Sequence, residues 1–434
     1  MKTILISISL GLGCLMVAAQ DVVPISKAEV LKKVSEQNIA IKIADQDYEM
    51  SKADYKKSNA LFVPSISISH SGMMTNNPLM AFGAKLNQAV LTQEDFNPAL
   101  LNDPDRTDNY TTKIEFQQSV FNMDGIYQRK AAKLTMDATA LQAIRQNEYI
   151  SFEVEKAYMQ LQLAYSVVEV LLKAQEAALA NEQLAKNSFK QGYIQYADVL
   201  AVSVRVTEVK NLVQQANSHI QNTSDYLGFL MNDYQGKLLK PRDELALTDF
   251  SNIEKELPVG RADLKAMQLA SKAYKTMNTA EKSTFLPRLN VFGSYELYDD
   301  QLFKGDANGY MIVGQLSWNI LDGTRRNANV QKSRAALEKA ELGYAEYVSK
   351  SELELSKSKR MLKDAKNKLV LTQLALEQSK ESLMIRRNRF KEGLEKSSDL
   401  LISETQYAQK QLAYKQTIFE YNYAMAYLQF LTKE

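Results

Sequence analysis

One stretch of the chain occurs twice, and this duplication constrains the fold more than any other feature. Residues 189–200 return as residues 390–401 at an offset of 201 (390 − 189), with the same Phe, Lys, Gly, Asp and final Leu at matching places. The offset persists downstream, because residues 226–230 recur as 427–431 with the pattern Tyr-Leu-x-Phe-Leu. Two copies of one long unit in 434 residues indicate an internal repeat.

Each copy places a glycine between two long helical patterns. A leucine recurs every seven residues before Gly393, and apolar residues after Gly192 alternate steps of three and four. The leucines are Leu355, Leu362, Leu369, Leu376 and Leu383. Sustained heptads are typical of coiled coils, and glycine ends a helix at little steric cost. Each copy is therefore predicted to be a long helical hairpin with a tight turn at its tip, on the order of 100 Å long.

Residues 1–19 have the composition of a secretory signal peptide. Lys2 gives the basic start, an apolar run follows it, and residues 17–19 (Val-Ala-Ala) form a small-residue cleavage site. Cys14, the only cysteine, lies inside this run. The exported chain is therefore predicted to contain no disulfide, and a lipidated N-terminus at Cys14 is the alternative.

The composition limits the classes of function. The chain has 53 Lys and Arg against 51 Asp and Glu, and this balance does not point to nucleic acid as a partner. No stretch after the signal peptide reaches the roughly 18 apolar residues of a membrane helix. If the protein crosses a bilayer, it must therefore do so with strands.

Each half of the chain contains two segments in which polar and apolar residues alternate, which is the period of a β-strand. In each half a Pro (Pro64, Pro287) precedes the first segment and an Asp-Gly pair follows the second. Four strands cannot close a membrane barrel, which needs about eight, and open edges are not tolerated in lipid. In a membrane, several copies would have to share one barrel, and three copies would supply twelve strands; soluble hairpins packed on the helices are the alternative.

The predicted elements follow the duplication. Residues 20–232 form the first repeat, residues 259–434 form the second, and residues 233–258 are a linker that we expect to pack as an equatorial collar outside the helices. The first repeat is predicted to contain a helix over 25–61, strands over 64–70 and 111–121, and helices over 125–190 and 194–232. The second is predicted to contain a helix over 262–285, strands over 287–298 and 309–320, and helices over 323–391 and 395–432.

These residues resemble the TolC-like outer-membrane efflux proteins, also called outer membrane factors. Four features carry the resemblance: the doubled F-K-x-G-x5-D-[VL]-L motif, the F-[VL]-P entry to the strands, the W/F-N…D-G exit from them, and residues 260–266 at the start of the second half. In the last of these, Ala262 stands where the family usually has a proline. The resemblance covers essentially the whole mature chain.

The resemblance implies a mainly α fold with β-structure, assembled as a homotrimer. Helical hairpins would form an α-barrel tunnel in the periplasm, and four strands from each protomer would form a 12-stranded transmembrane β-barrel in the outer membrane. The chain would be the passive exit channel of a tripartite efflux or type I secretion system. Its partners would be outer-membrane lipid, a periplasmic adaptor (membrane fusion) protein and an inner-membrane transporter.

The resemblance also implies two functional regions at the hairpin tips. The adaptor would dock on the residues around each tip glycine, and the tunnel would narrow to an aperture close by. The docking residues are Gln191, Gly192, Tyr193, Glu392, Gly393 and Leu394, and the aperture residues are Asp198, Asp399, Phe390 and Glu395. Threefold symmetry would make each aspartate a ring of carboxylates that favours cations. The alternative for each aspartate is a helix cap that does not face the lumen.

Nothing in the sequence indicates an enzyme. His70 and His219 are isolated from any second His or Cys at metal-ligand spacing, and no glycine loop for a nucleotide is present. We therefore expect no catalytic residue, metal or cofactor. The alternative function is a periplasmic coiled-coil adaptor or a structural interaction protein, which would account for the signal peptide and the heptads but not for the four alternating segments.

Overall fold

A computed structural model describes residues 22–233, 236–248 and 256–434, so the predicted signal peptide and Cys14 lie outside the described residues. The helices of the described part are α1 (Lys27–Gln37), α2 (Ile39–Lys57), α3 (Pro78–Asn87), α4 (Pro98–Asn102), α5 (Met123–Lys190), α6 (Tyr196–Leu230), α7 (Ala262–Ser283), α8 (Arg325–Lys391) and α9 (Ser397–Leu431). Its strands are β1 (Val22–Ile25), β2 (Ser65–Thr75), β3 (Thr107–Phe121), β4 (Leu238–Pro241), β5 (Arg288–Asp299) and β6 (Ala307–Ser317).

The four long strands form one antiparallel sheet in the order β2-β3-β5-β6. The middle pair joins the two halves of the chain, with Ile114 opposite Tyr295, and its register shifts between Ser119 and Phe121. Within the chain, β2 and β6 are the edges of this sheet. The loop between β2 and β3 contains α3 and α4, which the sequence did not predict.

Several boundaries differ from the predicted ones. The helix predicted over 25–61 is interrupted at Asn38, whose side-chain amide donates to the Leu230 carbonyl oxygen at 2.7 Å and whose side-chain oxygen accepts from the Ile41 N–H at 3.1 Å. The same side chain caps the start of α2 and bonds to α6, so these hydrogen bonds stabilise the break between α1 and α2. Strands β2 and β3 extend five and four residues beyond the predicted 64–70 and 111–121 (75 − 70, 111 − 107).

The short strands β1 and β4 form a parallel pair that was not predicted. Val22 lies opposite Leu238, and Tyr158 of α5 donates its hydroxyl to the Ile25 carbonyl oxygen at 3.2 Å. The segment predicted as a linker over 233–258 therefore contains a strand, and the helix predicted from residue 25 is preceded by one. Residues 234–235 and 249–255 of that linker lie outside the described part.

The chain divides into two compact units, and each combines segments from both halves of the sequence. Of the described residues, one unit, the tip unit, comprises 22–42, 146–233, 236–248, 256–257 and 352–433. The other, the sheet unit, comprises 43–145, 258–351 and Glu434. The predicted repeats over 20–232 and 259–434 therefore do not coincide with the compact units. A core of the tip unit lies where α5, α6, α1 and the β1–β4 pair meet, around residues such as Val30, Leu161 and Leu227.

A buried network of charges fixes the start of α7 in the sheet unit. The Asp263 carboxylate lies 2.6 Å from Arg261 and 3.4 Å from Arg145, and it accepts a hydrogen bond from the Tyr347 hydroxyl at 2.7 Å. Arg261 also donates to the Ser351 hydroxyl at 2.7 Å. Burial alone would raise the pKa of Asp263, but the bonds from Arg261 and Tyr347 and the charge of Arg145 hold this pKa below its usual value.

Candidate functional site

The first hairpin tip is a helix end closed by a left-handed glycine. Gly192 has a φ of +79°, a backbone conformation that residues with a Cβ rarely adopt. Its N–H donates to the Phe189 carbonyl oxygen at 2.9 Å, and the Tyr193 N–H donates to the Ser188 carbonyl oxygen at 3.0 Å. These two bonds form a Schellman-type C-cap, which satisfies the last carbonyl groups of α5.

The second tip repeats the same geometry 201 residues later. Gly393 has φ +73°, and its N–H donates to the Phe390 carbonyl oxygen at 3.0 Å. The Leu394 N–H donates to the Arg389 carbonyl oxygen at 2.9 Å. Nothing lies within 4 Å of a Cβ built at either glycine. Both glycines are therefore required by backbone conformation alone and not by close packing.

The residues beside each glycine face away from the hairpin. Tyr193 is 78% exposed and Leu394 is 67% exposed, and Gln191 and Glu392 are exposed as well. Behind them, one apolar cluster contains residues of both hairpins: Ala185, Val199, Val202, Ile194 and Leu401. The tip unit thus holds the two turns against a common core and leaves their outer residues uncovered within the chain.

The four predicted aperture residues have different environments. The exposed Asp198 accepts a hydrogen bond from the Gln195 N–H at 3.0 Å, so it caps α6. Asp399 is half-buried in the first turn of α9, and its N–H donates to the Lys396 carbonyl oxygen at 3.1 Å. Phe390 is half-buried at the end of α8.

The fourth aperture residue, Glu395, is paired inside its own hairpin. Its carboxylate lies 2.7 Å from Arg386 and 3.0 Å from Arg389, and only 12% of its side chain is exposed. Two cations therefore balance this carboxylate locally, and among the four predicted residues Asp399 is the better candidate for an acidic ring.

A further acidic residue near the tips was missed by sequence reasoning. Glu404 of α9 accepts a hydrogen bond from the Asn181 amide of α5 at 2.5 Å and lies 3.5 Å from the Arg387 guanidinium of α8. Burial raises the pKa of the Glu404 carboxyl, despite the opposing effects of Arg387 and Asn181. The signal was present in the sequence, because Glu404 follows Leu401 by three residues, at the spacing of an interior coiled-coil position.

The four-stranded sheet of the sheet unit has two faces of opposite character. One face carries two rows of cross-strand neighbours, the first being Ile66, Phe116, Gly293 and Ile312 and the second being Ile68, Ile114, Tyr295 and Tyr310. The isoleucines of β2 are 69% and 71% exposed, and Ile312 and Tyr310 of β6 are 71% and 81% exposed. The intervening positions are mostly polar: Ser67, Ser69, Lys113, Glu115, Ser294 and Glu296.

This alternation leaves an apolar surface uncovered by the chain itself. On the opposite face the Lys113 ammonium lies 2.5 Å from Glu115 and 3.4 Å from Glu296. A sheet that is polar and ion-paired on one face and apolar on the other suits a boundary between water and lipid. Among the described residues, no helix is both long and apolar enough to cross a membrane.

Comparison with known proteins finds similarity to outer-membrane efflux proteins. The family model described as "Outer membrane efflux protein" matches residues 255–431. The multidrug resistance outer membrane protein MdtP of Escherichia coli is 24% identical over 191 residues, which are 43% of this chain and 38% of that relative. MdtP of Shigella flexneri aligns over the same shares. The aligned region thus spans well under half the length of these curated relatives.

Solved structures show the same fold over nearly the whole chain. The Campylobacter jejuni CmeC outer membrane channel has a TM-score of 0.82 at 15% identity, covering 94% of this chain and 85% of that one. The outer membrane protein VceC of Vibrio cholerae has a TM-score of 0.79 at 16% identity, covering 94% and 96%. The match over residues 255–431, the curated relatives and this shared fold confirm the predicted resemblance to the TolC-like outer-membrane efflux proteins.

Proposed function

We propose that this chain is the outer-membrane exit channel of a tripartite efflux or type I secretion system, through which substrates pass passively from an inner-membrane pump and its periplasmic adaptor to the exterior. The observation that carries the proposal is the two-faced sheet. An exposed apolar face with a polar reverse side would be costly in water, and it fits strands that face lipid on one side and an aqueous lumen on the other.

The open edges of the sheet support a shared barrel. Strands β2 and β6 have no outer neighbour among the described residues, and unpaired backbone groups are costly in hydrocarbon. Pairing β2 of one copy with β6 of the next removes both edges. With four strands per copy, three copies give the twelve-stranded barrel of a homotrimer, and their long helices would continue as a periplasmic tunnel.

The tips are the proposed docking sites for the adaptor. Both present an exposed apolar or aromatic side chain, Tyr193 or Leu394, beside a turn held by the same two backbone hydrogen bonds. A rigid turn with an uncovered side chain loses little conformational entropy when a partner helix packs on it. Because the two tips differ in sequence, each would contact the adaptor differently.

Asp399 is the proposed charge of the aperture. Asp198 is engaged in capping α6 and Glu395 is paired with two arginines, so neither supplies a free carboxylate. Three copies of Asp399 around one axis would favour cations in the constriction. The name of the relative MdtP refers to multidrug resistance, which favours small molecules over polypeptides as the substrate class.

The proposal is tested by single-channel recording of the purified protein in planar bilayers. We expect steady conductance without nucleotide, a cation preference that Asp399→Asn reduces, and no effect of Asp198→Asn, since asparagine also caps helices. Protein that inserts but does not conduct, or that hydrolyses nucleotide by itself, would overturn the passive channel. An unchanged cation preference in Asp399→Asn would remove Asp399 from the aperture.

A further inference from the structure

A cavity of about 480 Å³ lies where the sheet meets the helices in the second half of the chain. The start of β5, the end of β6 and the start of α8 surround it, and three arginines line it: Arg288, Arg325 and Arg326. Trp318 and Asp322 also line the cavity. Neither the docking tips nor the aperture involves any of these residues.

The charges around this cavity do not cancel. Arg288 makes a two-bond ion pair with Asp124, at 2.6 and 3.0 Å, and Arg325 makes another with Asp322, at 2.6 and 2.9 Å. Arg326 donates to two backbone carbonyl groups and comes no closer than 3.9 Å to Asp322. Three guanidinium groups against two carboxylates leave one net positive charge.

Arg325 is the most exposed of the three arginines. The Arg325 side chain is 72% exposed and that of Arg288 is 47% exposed, whereas that of Arg326 is only 11% exposed. A guanidinium group has five N–H donors, and each two-bond pair uses two of them. Arg325 therefore keeps N–H groups that are not bonded to Asp322 and that can donate hydrogen bonds to a second anion.

The segment that follows β6, next to the cavity, carries exposed apolar side chains. Trp318 is 60% exposed, Ile320 is 78% exposed and Leu321 is 84% exposed, directly after the end of β6. Trp318 donates its indole N–H to the Phe285 carbonyl oxygen at 3.0 Å, which fixes the ring beside the arginines. Exposed apolar side chains next to cations are typical of the headgroup level of a bilayer, where tryptophan is enriched.

The position that corresponds to Arg325 in the first half is not occupied by a cation. At its own strand-to-helix junction, Arg129 packs over the Phe62 ring at 5.4 Å, as Arg326 packs over the Phe285 ring at 5.2 Å. When the two Asp-Gly pairs are superposed in sequence (322 − 124 = 198), Tyr127 stands in the place of Arg325. In the same superposition Arg326 falls on Gln128, so the two ring-stacked arginines have a similar role at the junction but not the same position. The position of Arg325 carries a charge in the second half and an uncharged tyrosine in the first.

We propose that this cavity binds the phosphate of an anionic phospholipid in the leaflet on the helical side of the membrane. The inference rests on the proposed outer-membrane channel. A phosphodiester carries one negative charge, which matches the net charge of the cavity, and its oxygens accept from guanidinium donors in a fixed geometry. A zwitterionic headgroup brings an ammonium group close to the remaining arginines and is therefore disfavoured.

Trp318 is the only tryptophan in the chain, so its fluorescence reports on this site alone. The purified channel is reconstituted in vesicles of phosphatidylcholine with brominated phosphatidylglycerol or brominated phosphatidylcholine as quencher. We expect stronger quenching by the anionic lipid, with a relative affinity about fivefold higher, since one arginine near the headgroups contributes about 1 kcal/mol. In Arg325→Gln, the ratio of the affinities for the anionic and the zwitterionic lipid should fall close to one.

The matched control is Arg334→Gln on the same helix. The Arg334 side chain is 74% exposed and paired with Glu338, so it matches Arg325 in exposure and pairing but does not line the cavity. This variant should keep the wild-type preference. Inorganic phosphate added to the vesicles should not compete; if it abolishes the preference, the site binds free phosphate and not the lipid.

Three results would overturn the lipid site. These are equal quenching by both lipids in the wild-type protein, an unchanged preference in Arg325→Gln, and no quenching by either lipid, which would mean that a neighbouring copy covers Trp318. Conductance is recorded on the same preparations. A conducting protein without the lipid preference refutes this inference alone, whereas a protein that neither conducts nor inserts refutes the proposed function.

Discussion

Replacing Gly393 by alanine tests whether backbone conformation alone requires glycine at the hairpin tips. Gly393 has φ +73°, and a Cβ placed there meets nothing within 4 Å. The substitution therefore adds no clash, and its cost is that of an L-residue in the left-handed region, about 1–2 kcal/mol. We expect Gly393→Ala to weaken the closure of the tip by this amount.

Gly343, inside the helix that ends just before Gly393, provides a matched control. A Cβ there also meets nothing within 4 Å, but Gly343 lies inside α8 and does not have a positive φ. Alanine inside a helix is more stable than glycine by about 0.5–1 kcal/mol. The same substitution should therefore be favourable at Gly343 and unfavourable at Gly393, although the space around both residues is the same.

Amide hydrogen exchange measures this difference locally. The Leu394 N–H is bonded to the Arg389 carbonyl oxygen at 2.9 Å, so it exchanges when the tip opens. A cost of 1–2 kcal/mol should speed its exchange roughly 5- to 30-fold in Gly393→Ala and leave it unchanged in Gly343→Ala. Equal exchange in both variants would refute the argument that the left-handed conformation selects glycine.

Other substitutions test the packing of the two units. In the sheet unit, Asp263→Asn leaves the buried Arg261 without its carboxylate and should destabilise the protein by about 3–5 kcal/mol. The control Glu338→Gln breaks an exposed pair and should cost under about 1 kcal/mol. Thermal unfolding compares the two variants, and equal destabilisation would contradict the role of burial. The pKa of Asp263 is lowered in the folded chain, so its contribution should be present above about pH 4 and lost as the pH falls through the folded pKa. The pKa of Glu404 is raised, so its effect has the opposite sign: stability should fall as the pH rises from about 4.3 through the folded pKa, and Glu404→Gln should flatten that part of the profile of melting temperature against pH. Asn38→Ala leaves a buried carbonyl oxygen of α6 and a backbone N–H of α2 without their partner and should cost about 2–3 kcal/mol in denaturant unfolding; a cost below about 0.5 kcal/mol would show that the helix break does not depend on this side chain.

The long hairpins and the four long strands were predictable because their signals are local and periodic. Heptads from Leu355 to Leu383, a glycine at the turn and an aspartate after it all agree on a helical hairpin. The alternating segments agree on strands in the same way, and their exposed apolar face, with Ile66 and Ile312 on opposite edges, gives that alternation its physical meaning.

Elements that depend on distant partners were not predictable. The strands β1 and β4 are four residues each and pair in parallel across about two hundred residues of chain, so neither has a local pattern. The break at Asn38 depends on a carbonyl oxygen of α6 that sequence spacing does not reveal.

The predicted aperture residues show the same limit. The family resemblance placed Asp198, Asp399 and Glu395 near the aperture, with a helix cap as the alternative for each aspartate. The sequence could not show that Asp198 accepts from a backbone N–H or that two arginines pair with Glu395. The spacing of Glu404 from Leu401 indicated an interior position, but the packing of α5, α8 and α9 was needed to show that Asn181 and Arg387 contact its carboxylate.

The central claim is that the apolar face of the sheet lies against lipid and that neighbouring copies complete its edges. The most direct test is the mass of the protein extracted from outer membranes in mild detergent, before and after heating. The account predicts a complex close to three times the mass of the chain that converts to the monomer on heating. A folded monomer that remains soluble in buffer without detergent would contradict this account.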